Sequence, residues 1–313
     1  MLIYVRELVP MTTATYTANR SPTARRGRLK LDAWLLIAPA VLYLLAFSIF
    51  PLIYSLYLAF HELDKTENVF KPVGLANFAE LFRDGDFVRS FTNTIVFVVA
   101  AVAVEIIGGF ALALFFNRRF FAKDVTRTLL ILPMMMTPIA TGLMWRFMLS
   151  ADFGMVNYFI TLLGGRAINW VGEANTALLS VILVDIWQWT PFCFLLLYAG
   201  LQAIPEEILE AARVDGANSV QMLRFVTVPV LKPIILLSLL FRVIDSVKVF
   251  DIVYALTYGG PGRSSSTLSF YIFQNGLMYS RPGYGAAMSY VVVIAVIVLT
   301  NIFIRTLRRE REG

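Results

Sequence analysis

Apolar residues fall along this chain in six long runs, near 32–60, 89–116, 125–149, 176–201, 233–257 and 285–305, with polar segments between them. Each run is close to or longer than the roughly 20 residues a helix needs to cross a bilayer. A segment in lipid must satisfy its own backbone groups, so runs of this length predict helices. The pattern therefore predicts an all-α membrane protein, with six transmembrane helices forming one domain over 32–305. Residues 1–31 are polar, basic and rich in Ser, Thr and Ala, which reads as a largely disordered tail. A short basic tail, 306–313, follows the last run.

The polar segment at 205–233 carries the strongest local signals of structure. Pro205 suits the first position of a helix, and Glu206 and Glu207 sit in the first turn, where the helix dipole favours acids. Ile208, Leu209 and Ala212 share one face, and Asp215-Gly216 is a stop, because glycine tolerates the left-handed cap. A second short helix is expected from Asn218, with Gln221 as its capping-box partner, ending before Pro229. Two short helices at a tight glycine turn make a stiff knob, which suits docking better than a plain hairpin does. A DNA-binding helix-turn-helix fits poorly, since the segment carries nearly as many acids as bases and is tethered to membrane spans.

Composition agrees with the membrane reading. Hydrophobic residues make up 58% and charged residues 15% of the chain, against roughly 45–50% and 25% in soluble domains. The net charge of +6 is therefore weighed by location. Arg6, Arg20, Arg25, Arg26, Arg28, Lys30, Arg118, Arg119, Lys123, Arg127, Arg213, Arg224, Lys232, Arg305, Arg308, Arg309 and Arg311 fall on one side of the six runs. The other side holds fewer, among them Lys65, Lys71, Arg83, Arg89, Arg166, Arg263 and Arg281. The positive-inside rule then places both termini and the 205–233 loop in the cytoplasm. With Cys193 and His61 as the sole residues of their types, the chain predicts no internal disulfide and no metal site. No lysine follows a glycine, so a phosphate-cradling loop is absent from the sequence, and hydrolysis of ATP by such a loop is excluded.

Glu210-Ala211-Ala212, Asp215-Gly216-Ala217, Pro229 and Pro233 closely resemble the EAA loop of ABC-importer permeases. Thr257-Tyr258-Gly259-Gly260-Pro261, followed by Thr267, is similar to a signature of the carbohydrate-type, maltose-like branch of that family. Leu223, Val226 and Val228 depart from its usual residues by apolar exchanges. The resemblance implies that Glu210, Ala211, Ala212, Asp215, Gly216 and Pro229 form a coupling helix seated on a cytoplasmic ATPase. It also implies a second homologous permease subunit, a dimer of ATPase subunits carrying ATP and Mg, an extracytoplasmic solute-binding protein and a bacterial or archaeal inner membrane. The chain itself would need no cofactor and would not be an enzyme.

An ionisable group at mid-membrane costs about 2.5–3.5 kcal/mol on insertion scales and needs a partner or a wet cavity. Asp185, Gln188, Trp189 and Phe192 recur at helical spacing, and Pro191 can open the backbone beside them. Carboxylate, amide and aromatic rings on one face suit a sugar, whose hydroxyls need hydrogen bonds and whose C–H face packs on a ring. Packing between helices is the plainer reading of any single ring among them. Asp245, Ser246 and Val249 fall on one side of the fifth run, with Asp245 expected near its middle; Met134 and Pro138 are candidates for a further wall. Arg242, Asp245, Lys248 and Asp251 alternate in sign at spacing three and can pair along one helix. Arg146 can snorkel to the interface, whereas the sequence assigns Glu105 no partner.

The resemblance, together with these residues, thus implies a permease that moves a sugar, polyol or glycoside through the bilayer by alternating access, powered by another subunit. Arg242 and Lys248 leave an anionic sugar open. A self-sufficient secondary carrier or channel explains the intramembrane charges but leaves the 205–233 knob without a purpose, and no internal repeat is evident. A serine hydrolase needs a buried serine and base together, yet Ser264 lies in a loop and His61 at a span's end. A +6 chain with its basic residues at membrane ends calls for no nucleic acid.

Overall fold

A computed structural model describes residues 36–118 and 120–312, and the expected tail at 1–31 lies outside them. The described chain is helical apart from one small hairpin. It falls into two units, divided after Tyr54. In the first, the described residues form most of the apolar helix α1 (Leu36–Ala59), with Leu36 and Phe47 exposed.

The second unit starts with the end of α1 and an antiparallel hairpin, β1 (His61–Asp64) and β2 (Val69–Pro72), paired His61 to Pro72 and Asp64 to Val69. A short helix α2 (Ala76–Leu81) leads to α3 (Gly85–Phe116). Asp84 caps α3 by accepting from the Asp86 and Phe87 N–H groups, and its Oδ2 accepts from the Tyr271 and Tyr284 hydroxyls. Partial burial works to raise this carboxyl, but those hydrogen bonds outweigh it and hold Asp84 below the usual carboxylate range.

Helices α3 and α7 (Ala174–Gln202), the latter preceded by a short α6 (Met155–Leu162), form the frame. Phe97 packs with Val181 and Val184 near one end, and Ala113 and Phe116 pack with Phe194 and Leu197 near the other. The matched order of these contacts makes the two helices parallel, as spans two apart must be. Their close approach depends on Gly109, where an added Cβ would stand 2.7 Å from the Cys193 Cβ and 2.8 Å from the Phe194 backbone nitrogen. Backbone cannot yield as a side-chain tip can. Gly109→Leu is therefore expected to destabilise the chain by about 1–3 kcal/mol or more, read as a lower thermal midpoint in detergent. Gly108→Ala, whose Cβ would meet Thr190 at 3.5 Å, should leave that midpoint unchanged.

Among the described residues, five helices are long and apolar enough to cross a membrane: α1, α3, α7, α9 (Ser219–Val247) and α12, which begins at Pro282 and continues through Glu312. Residues 306–312, expected as a separate tail, thus prolong α12. The run near 125–149 is not one straight helix. It divides into α4 (Lys123–Met135) and α5 (Pro138–Met148), bent by 101°. Met136 and Thr137 are extended; Pro138 disfavours helical backbone at Thr137 and then starts α5. Gln188 Nε2 donates to the Met136 carbonyl freed at this corner.

The fifth run also differs from expectation. Helix α9 does not stop before Pro229 but passes through it, by way of a π-helical stretch at Met222–Thr227. The Val228 N–H reaches back five residues to the Leu223 carbonyl. This wider turn accommodates a ring that would crowd an ordinary α-helix. At its other end α9 stops at Val247, and a separate α10 (Asp251–Leu256) follows. Asp245 therefore lies in the last turn of α9, not in mid-span. The sign-alternating series is cut at Lys248, so only Arg242 and Asp245 pair along the helix.

The Thr257–Thr267 loop folds back onto α3. Tyr258, Gly259, Gly262 and Arg263 take positive φ, and Asn93 Nδ2 donates to the Arg263 and Ser266 carbonyls. The helix expected over 267–279 is α11 (Leu268–Phe273), extended by a π-helical stretch to Met278. Leu268, Tyr271 and Asn275 are buried along it.

Candidate functional site

The groups that converge inside the second unit come from α3, α7 and α9. Arg242 is 1% exposed, and among the described residues three carboxylates bond it. Its Nε donates to Glu105 Oε2 at 2.6 Å and its Nη2 to Glu105 Oε1 at 2.9 Å. The same Nη2 donates to Asp185 Oδ2 at 2.8 Å, and Nη1 donates to Asp245 Oδ2 at 3.0 Å. A guanidinium suits this role because its rigid fork of donors serves several oxygens at once. Glu105 and Asp185 are as buried as Arg242, whereas the Asp245 side chain is 52% exposed. The Arg242 guanidinium also lies 5.0 Å from the Trp189 ring centre, within cation–π reach.

Two adjoining cavities open beside this cluster. One of about 270 Å3 is walled by Trp189, Phe192, Phe241, Ile244 and Lys248, with Arg242 and Asp245 at its edge. The other, about 130 Å3, shares Trp189, Asp245 and Lys248 and adds Asp185, Ser246, Val249, Asp251 and Pro138. Trp189 meets Phe192 edge-on at 6.2 Å, and Phe192 meets Phe241 likewise at 6.5 Å. The Ser246 hydroxyl is buried and has no hydrogen-bond partner among the described residues. The arrangement offers ring faces, a half-exposed carboxylate, an ammonium and a spare hydroxyl to whatever enters, with no nucleophile–base pair among them.

Asp185, Trp189, Phe192, Asp245, Ser246 and Val249 thus meet around one space. Gln188 lines neither cavity: its side chain is buried at the α4–α5 corner, where Nε2 donates to the Met136 carbonyl. The sequence did not single out Phe241 and Ile244 for the walls, nor Arg242 as the partner of Glu105. A usable signal existed, since the one acid in the second run and the bases in the fifth must each be neutralised. The i, i+3 acid at Asp245 drew the arginine to its own helix instead.

The 205–233 segment forms a projecting knob. Helix α8 (Glu206–Val214) starts after Pro205 and ends at Asp215, and Gly216 turns the chain with a φ of +82°. Asn218 then caps α9 through a full capping box with Gln221. Glu210, Ala211, Asp215 and Pro229 are exposed and Ala212 is half-buried. The knob also exposes apolar side chains: Val214 at 87%, Val220 at 72% and Phe225 at 67%.

Residues 105–311 match the family of binding-protein-dependent transport system inner membrane components. The chain is 34% identical over 280 residues to the trehalose/maltose transport system permease protein MalF of Thermococcus litoralis, covering 89% of this chain and 94% of that protein. It is 33% identical to the sulfoquinovosyl glycerol transport system permease protein SmoG of Agrobacterium fabrum, over 90% of this chain and 92% of that one. Among solved structures, a bacterial ABC transporter that imports the acidic polysaccharide alginate superposes with a TM-score of 0.80 at 23% identity, covering 91% of this chain and 99% of its counterpart. The apolar helices, the fold and these relatives agree, and the chain belongs to the binding-protein-dependent inner-membrane transport components: it is a permease subunit of an ABC importer and not an enzyme, ATP hydrolysis residing in a separate subunit.

Proposed function

We propose that this permease passes a sugar or sugar derivative, delivered by an extracytoplasmic solute-binding protein, through the paired cavities beside Trp189 and Asp245. The relatives' names support the sugar class, since they include trehalose/maltose and lactose permeases. In this reading the bent α4–α5 pair is the third of six crossings, and both termini lie in the cytoplasm. The knob is then the coupling helix, with Glu210, Ala211, Ala212, Asp215, Gly216 and Pro229 shaping the surface that an ATPase pair grips. ATP and Mg bind on that pair, and a second, homologous permease completes the pore. Closure of the ATPases brings the knobs together and opens the cavity outward.

One observation carries the proposal: a single helix, α9, begins in the exposed knob at Ser219 and ends at the cavity wall beyond Asp245. At 1.5 Å per residue that rod spans roughly 40 Å. Displacement at one end therefore reaches the groups at the other without an intervening hinge loop. Trp189→Ala and Asp245→Ala are expected to lower ATP-driven uptake at least about tenfold in reconstituted vesicles while the complex still assembles. Uptake at the parent rate in both variants would remove the cavity from the path.

A further inference from the structure

The two cations that left an anionic solute open in the sequence are not equivalent in the fold. Arg242 is 1% exposed, and Glu105 and Asp185 together with Asp245 occupy its donors. Four of its five N–H donors are taken, so the single Nη1 N–H left over cannot grip a carboxylate or sulfonate in bidentate fashion, and its stacking side is turned to Trp189. Lys248 is the remaining base on the walls, and Asp251 lines the same cavity. Among the described residues, Glu105, Asp185, Asp245 and Asp251 thus stand against Arg242 and Lys248. The balance is an excess of two negative charges, and it stays negative even with one of the buried acids neutral. Asp245 places that excess where a solute would meet it, because its side chain is half exposed and borders both cavities.

We infer that this cavity admits hydroxyl-rich solutes without negative charge and rejects sugar acids, with Asp245 as the specificity-determining residue. The inference rests on the cavity being the transport path. The fold itself does not decide the matter, because a structural neighbour imports an acidic polysaccharide; the residues of this chain must. Ser246 fits the same class, since its unpartnered buried hydroxyl can exchange hydrogen bonds with a sugar hydroxyl. An anion would meet repulsion from Asp245 in a site where the surrounding apolar wall screens charge poorly.

The chain allows a direct measurement of this field. Cys193 is its one cysteine and is fully buried between α3 and α7, so the parent serves as a blank for thiol labelling. Val249→Cys and Ile244→Cys each place a reporter on a cavity wall. In membranes holding the whole complex, each is labelled with a trimethylammonium methanethiosulfonate and with a sulfonate one, both normalised to a free thiol. The cationic reagent is expected to react faster by about tenfold or more, and Asp245→Asn should cut that ratio at least about threefold. Equal rates, a preference for the sulfonate, or no reaction at either position would overturn the inference. Labelling reads the charge of the cavity without any uptake, so its outcome stands apart from the transport test above.

Discussion

Arg242→Met is expected to remove most of the folded permease from the membrane. Methionine fills much of the space of the arginine stem, so the loss would not come from an empty cavity. It would come from Glu105 and Asp185, left buried without their counter-charge. Removing one partner of a buried ion pair costs about 3–5 kcal/mol, a large share of the roughly 5–15 kcal/mol that holds a domain folded. The same arginine ties α9 to α3 and α7, so three helices lose a common anchor. Glu105→Gln with Asp185→Asn, added to Arg242→Met, should restore the folded chain, because the uncompensated charges are gone. Monodisperse protein recovered in detergent, with its thermal midpoint, separates these outcomes. A single variant as stable as the parent would mean the cluster holds nothing together.

The second large effect is expected at Gly216. Its φ of +82° is a region that β-branched residues avoid, yet nothing lies within 4 Å of where a Cβ would point. Gly216→Val thus strains the turn without a clash, at about 1–2 kcal/mol. The spans should tolerate that cost, and the knob should relieve it by changing the angle between α8 and the start of α9. Uptake is expected to fall at least about tenfold while the chain stays at its normal level in the membrane. Gly216→Asn, which adopts the left-handed region more readily, should keep most of the activity. Equal uptake by both variants would show that the angle of the knob does not matter.

Much of this was legible because it is written locally. The knob's stop at Asp215-Gly216 and its capping box at Asn218 and Gln221 follow from short-range chemistry, and the structure holds both. Helical spacing brought Asp185, Trp189 and Phe192 to a common space. The misses share a cause, which is that competing local rules need three-dimensional context to rank them. Proline at 229 reads as a stop, but the π-helical stretch before it lets the helix continue. Proline at 138 lies within the apolar run near 125–149 that reads as one helix, yet the chain turns there by 101°. Gln188 sits at the right spacing for the cavity, but the carbonyl freed at that corner claims it. The partner of Glu105 is 137 residues away, beyond any periodicity argument.

The claim that most of this depends on is that the knob is seated on a nucleotide-driven partner. Val214 is 87% exposed at the tip of α8, so a photo-crosslinking residue placed there tests it directly in transporting membranes. The account predicts one covalent adduct, with an ATPase subunit. A complex that carries solute while that position captures only lipid, or nothing, would contradict it.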